Sequence, residues 1–146
     1  MRRLFGVGLA AAVAAASLTP LGTAAPAQAV TFSLQVKVVS NEWVPRTGNL
    51  EVTARVDCSR RVTSASWAVK VKQRVSAKGL QKISCTGKPQ WLTLVLDPRN
   101  GRFHPGAATL DLTTTECFSD FCAGQIYPTS RIRIPPPGQS HRRGAR

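Results

Sequence analysis

The sequence predicts an all-β fold, two sheets packed as a disulfide-stapled sandwich. Three observations carry that expectation. Apolar and polar residues alternate with a period of two through most of the chain beyond residue 30, the mark of half-buried strands. Clusters of Gly, Pro, Asn and Asp interrupt these runs at short intervals. Four cysteines follow a segment that reads as an export signal, which places them where disulfides form.

The export segment is Met1–Ala29. Arg2 and Arg3 supply a positive start, Phe5 to Leu18 is unbroken apolar or small, and Pro20 and Gly22 end the run. Ala27-Gln28-Ala29 gives the small-x-small pattern of signal cleavage, with Val30 as the new N-terminus. The run is too short to span a bilayer as a helix. Arg2-Arg3 also partly matches a twin-arginine signal, so the route stays open between that system and general secretion. No cysteine at the cleavage point calls for lipidation, and no second apolar stretch supplies an anchor. A secreted, extracellular, monomeric protein without a transmembrane anchor is expected.

The sandwich is expected over residues 30–134, and its elements follow in order. Phe32, Leu34, Val36 and Val38 alternate with Ser33, Gln35 and Lys37. After Pro45 and Gly48, Leu50, Val52, Ala54, Val56 and Cys58 alternate with Glu51, Thr53, Arg55 and Asp57, the cleanest run in the chain. Trp67, Val69, Val71 and Val75 alternate with Ala68, Lys70, Lys72 and Arg74, and a weaker run covers Leu80–Cys85. Trp91–Leu96 is apolar apart from Thr93, which reads as a strand covered on both faces. Past the turn dipeptides Asp97-Pro98 and Asn100-Gly101, Ala108, Leu110, Leu112 and Thr114 alternate with Thr109, Asp111, Thr113 and Thr115. The last segment carries Ile126, Ile132 and Ile134, and Pro128 demotes its neighbourhood to an edge or bend. About seven short strands fit an immunoglobulin-like sandwich, with a small Greek-key barrel as the competing arrangement. From Pro135 to Arg146 a proline run passes into arginines, a composition expected to form a disordered basic tail.

Spacing also bears on the cysteines. Three pairings of the four are possible; a Cys117–Cys122 bridge across one turn is the expected one, which leaves Cys58 with Cys85, each at the end of a strand run. Zinc sites need CxxC knuckles or Cys/His pairs, and neither occurs, so no metal or other cofactor is expected.

Composition restricts the function classes. The chain has 20 Lys+Arg against 7 Asp+Glu, a formal charge of +13, and only 2 His. No nucleophile elbow, zinc-protease motif or phosphate-binding glycine loop is present. The expectation is therefore a non-enzymatic binding or structural protein with no catalytic residues. Lys70, Lys72 and Arg74 share one side of a strand, and with Lys78 and Lys82 they compose a candidate anion-contacting stripe. The competing reading is a solvated face that discourages strand-to-strand aggregation. Outside the cell, teichoic acids, phospholipid head groups and acidic polysaccharides are more available anions than nucleic acid. Anionic cell-surface polymers are thus the expected partners.

An alternative is a small-ligand or carbohydrate binder built on the Cys117–Cys122 loop. Phe118 and Phe121 on that constrained tip, together with Trp43 in an expected loop, are its candidate contacts. Trp67 and Trp91 read as core residues, while Asp97, Asp111 and Glu116 read mostly as turn or outward-facing positions.

Several phrases resemble a group of small secreted actinobacterial proteins of uncharacterised function. They are a strand ending in Cys58, a second strand carrying Gln73, Cys85-Thr86-Gly87 with Gln90-Trp91 after it, and Gly101-Arg102-Phe103-His104-Pro105-Gly106-Ala107 leading into a late strand. The resemblance spans roughly Leu50 to Thr115 and implies an exported β-sandwich with a cysteine pair; it assigns no active site. A more distant likeness is to the neocarzinostatin-like apoproteins, secreted two-disulfide sandwiches that carry a small apolar ligand. Those are typically acidic, and this basic chain departs from them.

Overall fold

The computed structural model describes residues 32–139. The signal segment with Ala27, Ala29 and Val30, and tail residues 140–146, lie outside the described residues. Eight strands follow one another: β1 (Gln35–Val44), β2 (Asn49–Asp57), β3 (Ser64–Lys72), β4 (Ser76–Ile83), β5 (Gln90–Leu96), β6 (Gly106–Cys117), β7 (Cys122–Ile126) and β8 (Ser130–Ile134). They make two antiparallel sheets. The smaller has the order β1-β2-β5, and the larger the order β4-β3-β6, with β7 and β8 sharing the far edge of β6.

Alternation drives the packing. Leu50, Val52, Ala54 and Val56 of β2 and Trp67, Val69 and Val71 of β3 point into the space between the sheets and are fully buried. Leu34, Leu96, Phe103 and Ile134 fill the rest of that core, each worth about 1.5–3 kcal/mol of apolar burial. The indole Nε1 of Trp67 donates to Gln81 Oε1 at 3.1 Å, so burying the largest core residue leaves no donor unpaired. Pro135, the first residue of the proline run, is also buried, and the packed part extends that far. Gly79 of β4 carries no side chain, and the side chains of Leu94 and Leu96 occupy the space; a Cβ there would stand 2.7 Å from Leu94.

Two bridges staple this frame. Cys58–Cys85 joins the end of β2 in one sheet to the segment after β4 in the other, across 27 residues of sequence. Cys117–Cys122 closes the turn between β6 and β7.

Three sequence expectations change here. Trp91–Leu96 is not covered on both faces. β5 is an edge strand with only Leu92, Leu94 and Leu96 turned inward, opposite Ala54, Val52 and Leu50. Trp91 and Val95 turn outward and are 65% and 51% exposed. Trp43 is not in a loop. A bulge leaves Val39 unpaired between Val38 and Ser40, which shifts the phase of β1 and turns Trp43 inward opposite Leu50. Glu116 is not outward-facing: it continues the inward phase of Leu110, Leu112 and Thr114 and is 1% exposed. Its carboxylate accepts from Ser33 N–H (3.1 Å), Ser33 Oγ–H (2.9 Å) and Leu34 N–H (2.8 Å), clasping the segment before β1 to the larger sheet.

Pro128 divides the last segment in two. Tyr127 N–H still donates to Leu112 O, but proline has no donor, and pairing with β6 resumes only at Ser130.

Candidate functional site

The outer face of the larger sheet is set by register, because directly paired residues project to the same side. Lys70 faces Lys78 on β4 and Asp111 on β6; Lys72 faces Ser76 and Thr109. Thr109 in turn faces Arg131 on β8, Ala107 faces Arg133, and Lys82 stands opposite Ser66. Register thus collects Lys70, Lys72, Lys78, Lys82, Arg131 and Arg133 on one face, with Asp111 as the carboxylate among them. Asp111 accepts from Thr129 Oγ1–H at 2.7 Å, and Lys72 Nζ lies 3.7 Å away. The Thr129 hydroxyl, aided by Lys72 and Lys70 and opposed by some desolvation, holds its carboxyl below the ordinary carboxylate value.

Arg74 does not extend the strand row. It lies past the end of β3, in the turn to β4. There it joins Lys72, His104 and Arg131 around a shallow concavity of about 890 Å³ at one end of the cationic face. The Gln73 side chain holds this corner: its Nε2 donates to the carbonyls of His104 (2.9 Å) and Ala107 (3.3 Å), and its Oε1 accepts from His104 N–H (3.1 Å). The loop before β6 is thereby pinned to the β3–β4 turn.

Arg131 and Arg133 were missing from the sequence-derived stripe, because Pro128 made that region read as a bend. The alternation Arg131-Ile132-Arg133-Ile134 is the signal that identifies them.

The aromatic candidates do not converge. Trp43 packs against the core, with its ring 6.5 Å from that of His104, near the start of β6. Phe118 lies beyond the other end of β6, packed against the core, and Phe121 stacks on it at 5.0 Å while remaining 56% exposed. A single exposed aromatic is left at the disulfide-closed tip.

The outer face of the smaller sheet has a different chemistry. It carries Glu42 opposite Glu51, Asp57 beside Arg55 (3.3 Å), Lys37, and the exposed Trp91 and Val95. Charge is therefore segregated by sheet. Among the described residues no cluster of His, Cys, Asp and Glu has the makings of a metal site. Comparison with protein-family models, curated proteins and solved structures returns no match.

Proposed function

We propose that this is a secreted, non-enzymatic binding protein that docks on anionic polymers of the cell envelope or its surroundings through the outer face of the larger sheet. The observation that carries this reading is the gathering of six cationic side chains from β3, β4 and β8 around one carboxylate. Lys70 directly opposite Lys78 supports it further, since like charges across a strand pair cost stability and Asp111 on the other side of Lys70 offsets only part of that. An extracellular setting is compatible with two disulfides, and no helix among the described residues is long and apolar enough to cross a membrane.

Retention on a heparin matrix tests the reading. Binding through several cations should weaken steeply as salt rises. K70Q/K78Q/R131Q should elute at clearly lower salt than the parent, whereas K37Q on the opposite sheet should change elution little. Retention that ignores salt, or no retention at low salt, refutes electrostatic docking.

A further inference from the structure

Leu80 and Ile126 are 64% and 83% exposed, and both stand on the cationic face. The register makes them part of one row across four strands: Leu80 faces Ala68, Ala68 faces Thr113, and Thr113 faces Ile126. Three interstrand spacings separate them, about 14 Å. Lys78 and Lys82 lie two residues to either side of Leu80 on β4, and Lys70 lies two residues beyond Ala68 on the same side as Lys78. The face is thus amphipathic, with apolar side chains at the two ends of this row and the lysines of β3 and β4 beside it.

We infer that the occupant of this face is an anionic lipid surface, the protein lying flat with Leu80 and Ile126 in the interfacial layer and the lysines and arginines among the headgroups; this rests on the electrostatic reading above. Charge complementarity excludes the simplest competitor, since a second copy docked face to face would oppose six cations with six. A soluble polyanion satisfies the cations but leaves Leu80 and Ile126 in water. A bilayer interface covers both, because each apolar side chain gains by leaving water while basic residues at the surface are drawn to anionic lipid. The opposite face orients the molecule: Glu42, Glu51 and Asp57 outnumber Lys37 and Arg55 there, so a negative surface turns that side outward.

The test pairs sedimentation with vesicles of equimolar phosphatidylglycerol and phosphatidylcholine against elution from heparin. The probe variant is L80S/I126S, whose two positions are solvent-exposed and leave the core intact. The expected result is a vesicle affinity lower by about tenfold or more with heparin elution unchanged, because insertion of two large aliphatic chains is lost while every cation remains. W91S/V95S, on the other sheet, should bind vesicles as the parent does. Vesicle binding unaffected by L80S/I126S overturns the inference. So does a parent protein that is held by heparin and ignores the vesicles, which leaves docking on a soluble polymer standing. Failure to bind either one refutes the electrostatic reading itself.

Discussion

Glu116 is the residue whose replacement reports most directly on how the chain entry is held. Its buried carboxylate is the acceptor for three donors, Leu34 N–H in a buried setting and the N–H and hydroxyl of Ser33 in partly buried ones. In E116A the Leu34 amide loses its acceptor where water reaches poorly, a cost of about 1–3 kcal/mol. The two Ser33 donors are nearer solvent and lose about 0.5–1.5 kcal/mol each. Release of a desolvated charge offsets part of this, leaving a net loss of about 2–3 kcal/mol. E116Q keeps one carbonyl acceptor but turns an NH₂ group toward donors, so its cost is smaller, about 1–2 kcal/mol. Urea unfolding of the oxidised protein at neutral pH reads both values. With a slope of about 1.5 kcal/mol/M, E116A should shift the midpoint down by about 1.5 M. Hydrogen exchange should show the Leu34 amide losing protection in both variants. An E116Q midpoint equal to that of the parent, with Leu34 still protected, would refute the clasp.

Removing Cys58–Cys85 by a double alanine replacement should cost about 3.5 kcal/mol, and removing Cys117–Cys122 about 2 kcal/mol, because loop-closure entropy grows with the length enclosed; equal losses in urea unfolding, or the reverse order, count against that account. The Asp111 carboxyl has a lower pKa folded than unfolded, so its contribution is fully present above the unfolded carboxylate range and fades as pH falls through the folded value. Melting temperatures of the parent and D111N should therefore converge on acidification, and a difference that does not vary with pH contradicts the Thr129–Asp111 contact. Acrylamide should quench mainly Trp91 fluorescence, since Trp67 is fully buried and Trp43 packs on the core; W91F with undiminished quenching would show that this assignment is wrong.

Much of the fold was legible because an antiparallel sheet with one packed face writes a period of two into its sequence. β2, β3 and β6 show this, and their apolar positions are the buried ones. The cysteine pairing expected from spacing and from the strand ends, one of three possible, is the one observed. What escaped was governed by tertiary context. A bulge at Val39 resets the phase of β1, and nothing local announces it, so Trp43 looked like a loop residue. β5 carries Trp91 and Val95 on a side that periodicity alone could not distinguish from a second buried face. Glu116 holds to the phase of its strand, but a carboxylate in a core is rare, so its residue type points outward where its position points in. Of the candidate site, Lys70, Lys72, Lys78 and Lys82 were readable from alternation. Arg131 and Arg133 required knowing that β8 resumes pairing with β6 beyond Pro128.

Edge protection accounts for part of the cationic face but not for its centre. β4 and β8 are edge strands, and lysines or arginines there discourage strand-to-strand aggregation whatever else they do. Lys78, Lys82, Arg131 and Arg133 all fall under that explanation. Lys70 and Lys72 do not, because β3 is paired on both sides, with β4 and β6, and has no free edge to protect. Lys70 also sits opposite Lys78, where a neutral residue serves the fold better. The two roles predict opposite signs for K70Q. Relief of like-charge opposition should raise stability by about 0.2–1 kcal/mol, less what is lost through the weak attraction of Lys70 to Asp111. The same change should lower the salt needed to elute the protein from heparin, a gain in stability accompanied by a loss of binding. Urea midpoints and elution salt measured on one preparation decide the matter. A K70Q protein that is less stable and elutes at the parent's salt concentration would mean that Lys70 serves the fold and that the face is passive.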